Sequence, residues 1–264
     1  MIRAAYNWLV YPHRIAFIRR LLPPGGGRIL DVGCGNHGPR ITKRYLPECE
    51  YHGVYNERWN LDAADDRCID RLFRLDLNES GALGAVPDAA YDAVICSHLL
   101  EHLDAPRRVF DGLADKVKPG GVFYAETPAE RSLRLPRAER GWMGFRGCLS
   151  FYDDDTHTGL VDLGPPAAAL AEAGWSVRGP RARWMWRRVL LFPCYCVGCL
   201  LFKGFIPASV LWDVTGFAKY VVARRGRQGT LTPALSQCQQ GEREENGGER
   251  GPSLPSPPEG ERVG

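Results

Sequence analysis

Three short stretches of this sequence hold residues whose types and spacing point to chemistry. "RILDVGCGNHG", residues 28–38, is an apolar run that ends in Asp31 and breaks into Gly33, Gly35 and Gly38. A glycine turn between a strand and a helix lets backbone approach a ligand closely and leaves helix N-terminal N–H groups for polar or anionic partners. The glycines fit G-x-G-x-x-G, yet a dinucleotide site also needs an acid about 20 residues on for the ribose hydroxyls. That position is Tyr55, followed by Asn56 and Glu57. In the second stretch, His98-Leu99-Leu100-Glu101-His102 formally matches the H-x-x-E-H of one zinc protease group, which requires a long helix and a further ligand. Here the segment follows a strand-like run and soon meets Pro106. Glu101 and His102 therefore read as loop-orienting hydrogen-bond groups with no metal assigned. The third stretch, "FYDDDTHTG", sets Asp153, Asp154 and Asp155 beside His157. An imidazole whose tautomer is fixed by Asp154 or Asp155 is a general base, and a solvated, capped turn is the structural alternative. His157 is the preferred catalytic candidate, ahead of His98 and His102. Cys194, Cys196 and Cys199 lie in an oily run with no fourth ligand nearby and read as packing.

The elements that must position these residues follow from periodicity. Short apolar runs predict strands over 28–32, 51–55, 73–77, 91–96 and 121–127, with two more near 175–178 and 219–224. Val109, Leu113 and Val117 form one apolar stripe of a helix over 105–117, which Lys118-Pro119-Gly120-Gly121 stops. Alternating strands and helices predict an α/β fold with a mostly parallel sheet, whose ligand crevice lies at the strands' carboxyl ends. Residues 1–27 read as an N-terminal helical segment and 28–225 as a single domain with insertions. Within that domain, 129–165 is a lid or substrate-side insertion and 187–215 an apolar one. Residues 226–264 are rich in Gly, Pro, Ser, Gln, Glu and Arg and are expected to be disordered.

Composition narrows the partners. A chain of 264 residues with 44% hydrophobic residues buries one substantial core, and 34 basic against 31 acidic residues leave a net charge of +3. That balance, without base-stacking aromatics, argues against a nucleic-acid partner. Arg131, Arg134, Arg137, Arg140 and Arg146 suggest an anionic or glycan-like small-molecule acceptor. Nine cysteines, an odd number, fit reduced cytoplasmic usage, and the N-terminus lacks an export signal's apolar region and cleavage site. The 14-residue run 189–202 is too short to span a bilayer. It reads as a helix buried against the sheet or a homodimer seam, with peripheral membrane contact as the third reading.

Further motifs stand in order: "RLDL" with Asp76, "YDAVICSHLLEHLDAP" and "VKPGG". With "LDVGCG" they resemble the class I S-adenosylmethionine-dependent methyltransferases from about Arg28 to Ala223, and Asp31 beside the turn suits a ligand with ammonium and sulfonium charge. The resemblance implies a Rossmann-like, seven-stranded, mostly parallel sheet flanked by helices. It implies that Asp31, Gly33, Cys34 and Gly35 line the methionine and ribose end of S-adenosyl-L-methionine. Asp76 and the Leu77 backbone would take the adenine, and Ser97 would lie with Cys96 under the sulfonium. Tyr55 departs from the family's acid, so either Asn56 or Glu57 takes over the ribose or binding is weaker. The 98–102 segment is also similar to that of ubiquinone-pathway O-methyltransferases, whose acids and histidine hold a divalent metal; with His98 in place of the first acid, the resemblance implies His98, Glu101 and His102 as the ligand set if a metal binds. The resulting expectation is methyl transfer to oxygen, with a nicotinamide-dependent oxidoreductase and a non-catalytic binding module as alternatives.

Overall fold

Burial on successive residues builds the sheet from both sides. In a computed structural model, residues 11–138 and 144–227 are described. The chain runs α1 (His13–Ile18), β1 (Gly27–Val32), α2 (Gly38–Tyr45), β2 (Cys49–Tyr55), α3 (Ala63–Asp66), β3 (Arg71–Arg74), β4 (Tyr91–Ser97), α4 (Pro106–Asp115) and β5 (Val117–Pro128). It continues through β6 (Phe145–Arg146), α5 (Gly164–Glu172), β7 (Ser176–Ala182), α6 (Trp186–Leu190), α7 (Phe192–Lys203), β8 (Ile206–Pro207), α8 (Ala208–Thr215) and β9 (Ala218–Arg224). Seven strands form one sheet in the order β3-β2-β1-β4-β5-β9-β7. β1 to β5 pair in parallel, and β9 is antiparallel to both β5 and β7. The fold is thus the Rossmann-like α/β sheet expected, with strand order reversing between β1 and β4, where such sheets bind ligands.

Successive residues of a strand face opposite sides, so each strand feeds two cores. Leu30, Val32, Val94 and Phe123 pack with Val109, Phe110 and Leu113 of α4 on one side. Ile29, Tyr51, Ile95 and Tyr124 pack with Ile15 and Ile18 of α1 on the other. The predicted strand over 73–77 is cut short: β3 ends at Arg74, and Leu75 gives its N–H to the Tyr55 carbonyl at 3.1 Å, after which Asp76 and Leu77 leave the sheet. The helix expected over 105–117 stops at Asp115, and Val117 opens β5.

The apolar insertion forms a third, small core. Phe192, Tyr195, Cys196 and Cys199, one face of α7, pack near Phe145, Leu149, Ile206 and Leu211. The expectation that the whole 189–202 run is buried against the sheet is corrected, because Leu190, Leu201 and Phe202 are 71%, 76% and 90% exposed. Cys194 is also exposed, apart from the half-buried Cys196 and Cys199. Most of the expected disordered stretch, 228–264, lies outside the described residues, as do 1–10 and 139–143, which include Arg140.

β2 passes close under the first glycine turn. A Cβ placed on Gly53 lies 2.6 Å from Cys34 Sγ. Gly53→Ala is expected to lower stability by about 1–3 kcal/mol through overpacking. Adding Cys34→Ala should restore most of the loss, as read from urea unfolding of the single and double variants.

Candidate active site

The glycine turn after β1 is tied internally. Gly33, at φ +75°, gives its N–H to Val54 O at 2.8 Å, and Cys34 N shares that carbonyl at 3.2 Å. Asn36 N and His37 N reach Trp59 O and Asn60 O, both at 3.2 Å, while Gly35 N and Gly38 N bond within the turn. The Trp59 ring fits because residue 35 lacks a side chain: a Cβ there lies 2.8 Å from Trp59 Cε3. With these amides engaged, the turn offers no row of free donors for a pyrophosphate, so the nicotinamide reading lacks both its donors and its ribose acid.

The expected line of cofactor residues is placed as follows. Asp31 lies on the α1 side of β1 with Ile29, 4% exposed, and Tyr51 donates its hydroxyl to Asp31 Oδ2 at 2.6 Å. Burial pushes the Asp31 carboxyl's pKa up, opposed by the charge of Arg14. Asp31 buttresses the turn, and a Cβ on Gly38 lies 3.1 Å from its Oδ2. Cys34 is 1% exposed with its thiol against Gly53, so it can meet a ligand through backbone alone. Tyr55 is buried at the end of β2, and Asn56 and Glu57 follow it exposed. Asp76 is half-buried beyond β3, with Oδ1 accepting from Asn78 N at 2.9 Å, and Leu77 is buried next to it. Together with half-buried Ser97, the side chains expected to line the cofactor, Asp31, Tyr55, Asn56, Glu57 and Asp76, are acidic or neutral. That donor set suits a cationic, hydroxyl-bearing nucleoside, so the residues fit S-adenosylmethionine.

Beyond β4 the two expected histidine roles separate. His98 sits at φ +53°, the left-handed region that few side chains adopt without compensation. Its Nδ1 lies 3.1 Å from Glu101 Oε1 and its Nε2 3.0 Å from Glu126 Oε1, the second contact lying off the hydrogen-bond angle. An imidazole between two carboxylates needs both ring protons. Burial alone would lower the His98 pKa, but the hydrogen bonds and charges of Glu101 and Glu126 outweigh it and push it up to about 9. His98 is therefore an imidazolium at neutral pH, which corrects its candidacy as a general base. Glu126, an acid inside the apolar run of β5 that could have been flagged in "FYAETP", was the missed residue; it also meets Ser97 Oγ at 3.4 Å.

His102 and His157 come together, with ring centroids 4.8 Å apart. His157 Nδ1 donates to Phe151 O at 2.7 Å and stacks on the Phe151 ring. His102 Nδ1 donates to Thr156 Oγ1 at 2.8 Å, because the Thr156 hydroxyl proton goes to Asp154 Oδ1. Both histidines thus keep an Nε2 lone pair. The expected tautomer partner is corrected: a backbone carbonyl fixes His157. Asp154 holds Thr156, and Asp153 accepts the N–H groups of Ala138, Leu149 and Ser150. Thr158 bonds the Glu101 carbonyl through both its N–H and its hydroxyl, fastening this segment to the β4 loop. A carboxylate oxygen of Glu101 and ring nitrogens of His102 and His157 lie within 4.8 Å of one another. Glu101 is fully buried, and its Oε2 has no hydrogen-bond partner. The possible ligand set is thus Glu101, His102 and His157, with His157 in the place expected for His98.

Comparison with known proteins gives the family of the chain. A family profile described as "Methyltransferase domain" matches residues 10–162, more than half of the chain. A ubiquinone biosynthesis O-methyltransferase from Ralstonia nicotianae is 32% identical over 119 residues, covering 44% of this chain and 50% of that protein. One from Xanthomonas axonopodis pv. citri is 29% identical over 149 residues, covering 48% and 56%. The chain spans about half the length of these curated relatives. Among solved structures, a SAM-dependent methyltransferase from Archaeoglobus fulgidus is 20% identical with a TM-score of 0.46, covering 80% of this chain and 91% of that one.

The His98 pKa is raised in the folded state, so its contribution to stability is full below the unfolded value near 6.5 and is lost as pH rises through about 9. The stability difference between wild type and His98→Gln should therefore shrink steadily across that window. NMR titration should place the His98 imidazole midpoint near 9, and a midpoint near 6.5 would contradict the double-carboxylate clamp.

Proposed function

Because this chain belongs to the class I S-adenosylmethionine-dependent methyltransferases, we propose that it transfers the cofactor's methyl group to an oxygen of a small-molecule, glycan or lipid-linked acceptor. The observation that carries oxygen as the acceptor atom is His157. Its Nδ1 proton is committed to Phe151 O, which leaves Nε2 as a positioned lone pair for a hydroxyl proton. The curated relatives named as O-methyltransferases support the same reading.

The cofactor, when bound, supplies a methyl group on a sulfonium leaving group. Transfer is an in-line displacement, so alignment supplies much of the acceleration and the base acts on the acceptor proton. Asn56 or Glu57, Asp76 and the Leu77 backbone hold the nucleoside, the turn at Gly33–Gly35 closes over its methionine side, and Ser97 lies near the reacting end. His157 Nε2 accepts the acceptor's hydroxyl proton while its Nδ1 stays on Phe151 O. His102, fixed by Thr156, packs beside it and limits where the acceptor oxygen can stand.

One observation favours a second form of this site. Both Nδ1 atoms are tied to oxygen acceptors, as in metal-ligating histidines, and Glu101 Oε2 is buried without a partner. A divalent cation held by Glu101, His102 and His157 would polarise the acceptor oxygen.

His157→Ala should lower kcat by about 10²-fold or more and leave the affinity for S-adenosylhomocysteine unchanged in calorimetry. Equal turnover in that variant removes His157 from the mechanism, and no binding heat for the wild type returns the chain to a non-catalytic module. Dialysis against EDTA separates the two forms of the site. Activity that survives chelation leaves the histidine as a metal-free base, whereas loss restored by added Mg²⁺ or Zn²⁺ assigns the cation.

A further inference from the structure

The outward side of the apolar insertion is not absorbed by the chemistry above. α7 is apolar around its whole circumference, a pattern that ordinarily marks a buried helix or a membrane one. One face packs on its small core, while Val197, Leu200 and Leu201 on the other face and Phe202 at the end stay exposed. Leu190 of α6 extends the patch, 71% exposed. Twelve residues rise about 18 Å against the roughly 30 Å of a hydrocarbon core, and no helix among the described residues is long and apolar enough to cross a membrane. The helix can therefore lie in an interface without spanning it.

Charge decides what covers the patch. Residues 173–212 contain six Lys or Arg and no Asp or Glu. Two exposed cations sit on neighbouring aromatic rings, Arg131 at 5.6 Å from the Trp184 centroid and Arg146 at 5.2 Å from that of Phe205. Trp184 and Trp186 are themselves 47% and 67% exposed, amphipathic rings of the kind that settle at headgroup level. Arg183 and Arg188 of this stretch are answered by Glu126 and Asp213, but a second copy meeting this face across a two-fold axis would set the exposed Arg131 and Arg146 against their own counterparts. An anionic bilayer surface accepts both features, with apolar side chains in the acyl boundary and cations on the headgroups.

We propose that α6 and α7 form an interfacial anchor that docks this protein on anionic lipid, apolar face down with Arg131 and Arg146 at the rim. The anchor stands apart from the methyl-transfer chemistry, but if both hold, a lipid-linked acceptor is the substrate class it would present. The full chain is mixed with vesicles of phosphatidylcholine alone or with added phosphatidylglycerol, and the bound fraction is read by flotation. The wild type is expected to float with the anionic vesicles, and less as salt rises. Leu201→Asp with Phe202→Asp should cut partitioning by at least about tenfold, since burying one large apolar side chain is worth one to two powers of ten. Arg131→Glu with Arg146→Glu should remove the preference for phosphatidylglycerol. Circular dichroism and S-adenosylhomocysteine calorimetry on the same variants show that fold and cofactor binding persist, so failure of the anchor is distinguishable from failure of the enzymatic reading. Absence of flotation overturns the proposal, as does undiminished flotation of the Asp variant. A concentration-dependent dimer that Leu201→Asp splits, without lipid binding, would give the face to a second copy instead.

Discussion

Glu126, two residues before the end of β5, carries a carboxylate that is 1% exposed, and that buried charge selects its neighbours. Arg183, just beyond β7, places Nη1 2.5 Å from Glu126 Oε1, and His98 approaches the same oxygen from the β4 loop. Tyr124 gives its hydroxyl to Glu126 Oε2. Burial alone would raise the Glu126 pKa, but Arg183 and His98 hold it well below the usual carboxylate range. The compensation then propagates. Asp213 of α8 lies 2.8 Å from Arg183 Nε, a charge contact outside hydrogen-bond alignment, and pairs with Arg188 of α6. Removing one member of such a buried set leaves an unpaired charge, at a cost of about 3–5 kcal/mol.

The value of this chain of charges is mainly positional. Replacing buried ion pairs by apolar packing is often neutral or stabilising, so the set is weak evidence for stability. It does fix three elements that hydrophobic contact leaves free to slide: the β4 loop through His98, the β7 end through Arg183, and the insertion through Asp213 and Arg188. It also explains how His98 persists at φ +53°, a conformation that costs of order 1–3 kcal/mol and survives where the surroundings over-determine it. Glu101 joins this region to the second histidine pair, with Oε1 on His98 and its backbone carbonyl bonded by Thr158.

Much of the architecture was legible in the sequence because it rests on local rules. The apolar runs, the turn at Gly33, the helix ahead of the Lys118–Gly121 stop and the strand at 219–224 each carry their own signal. The side on which Asp31 lies was also readable, since a period of two puts it with Ile29 on the α1 face. What the sequence hid depends on distant partners. Glu126 and Arg183 are 57 residues apart, and Trp59 reaches Gly35 from the far side of β2. The 189–202 run hid its exposure for another reason, since continuous apolarity has no phase from which to tell a covered face from an open one.

The histidines show why residue type alone could not assign the chemistry. His13 is pushed down to about 4, chiefly by burial, so it is a neutral partner of the Tyr124 hydroxyl at 2.9 Å. His98 stands between two carboxylates and holds both protons. His157 faces a carbonyl on one nitrogen, which takes the Nδ1 proton and leaves Nε2 to accept another. The group opposite each ring nitrogen therefore decides whether it is neutral, charged or basic, and those groups come from other strands and loops. Among the three candidate catalytic histidines, His98 is set apart by its second carboxylate, contributed by β5. His102 and His157 share the remaining space, their Nδ1 atoms anchored by Thr156 Oγ1 and Phe151 O.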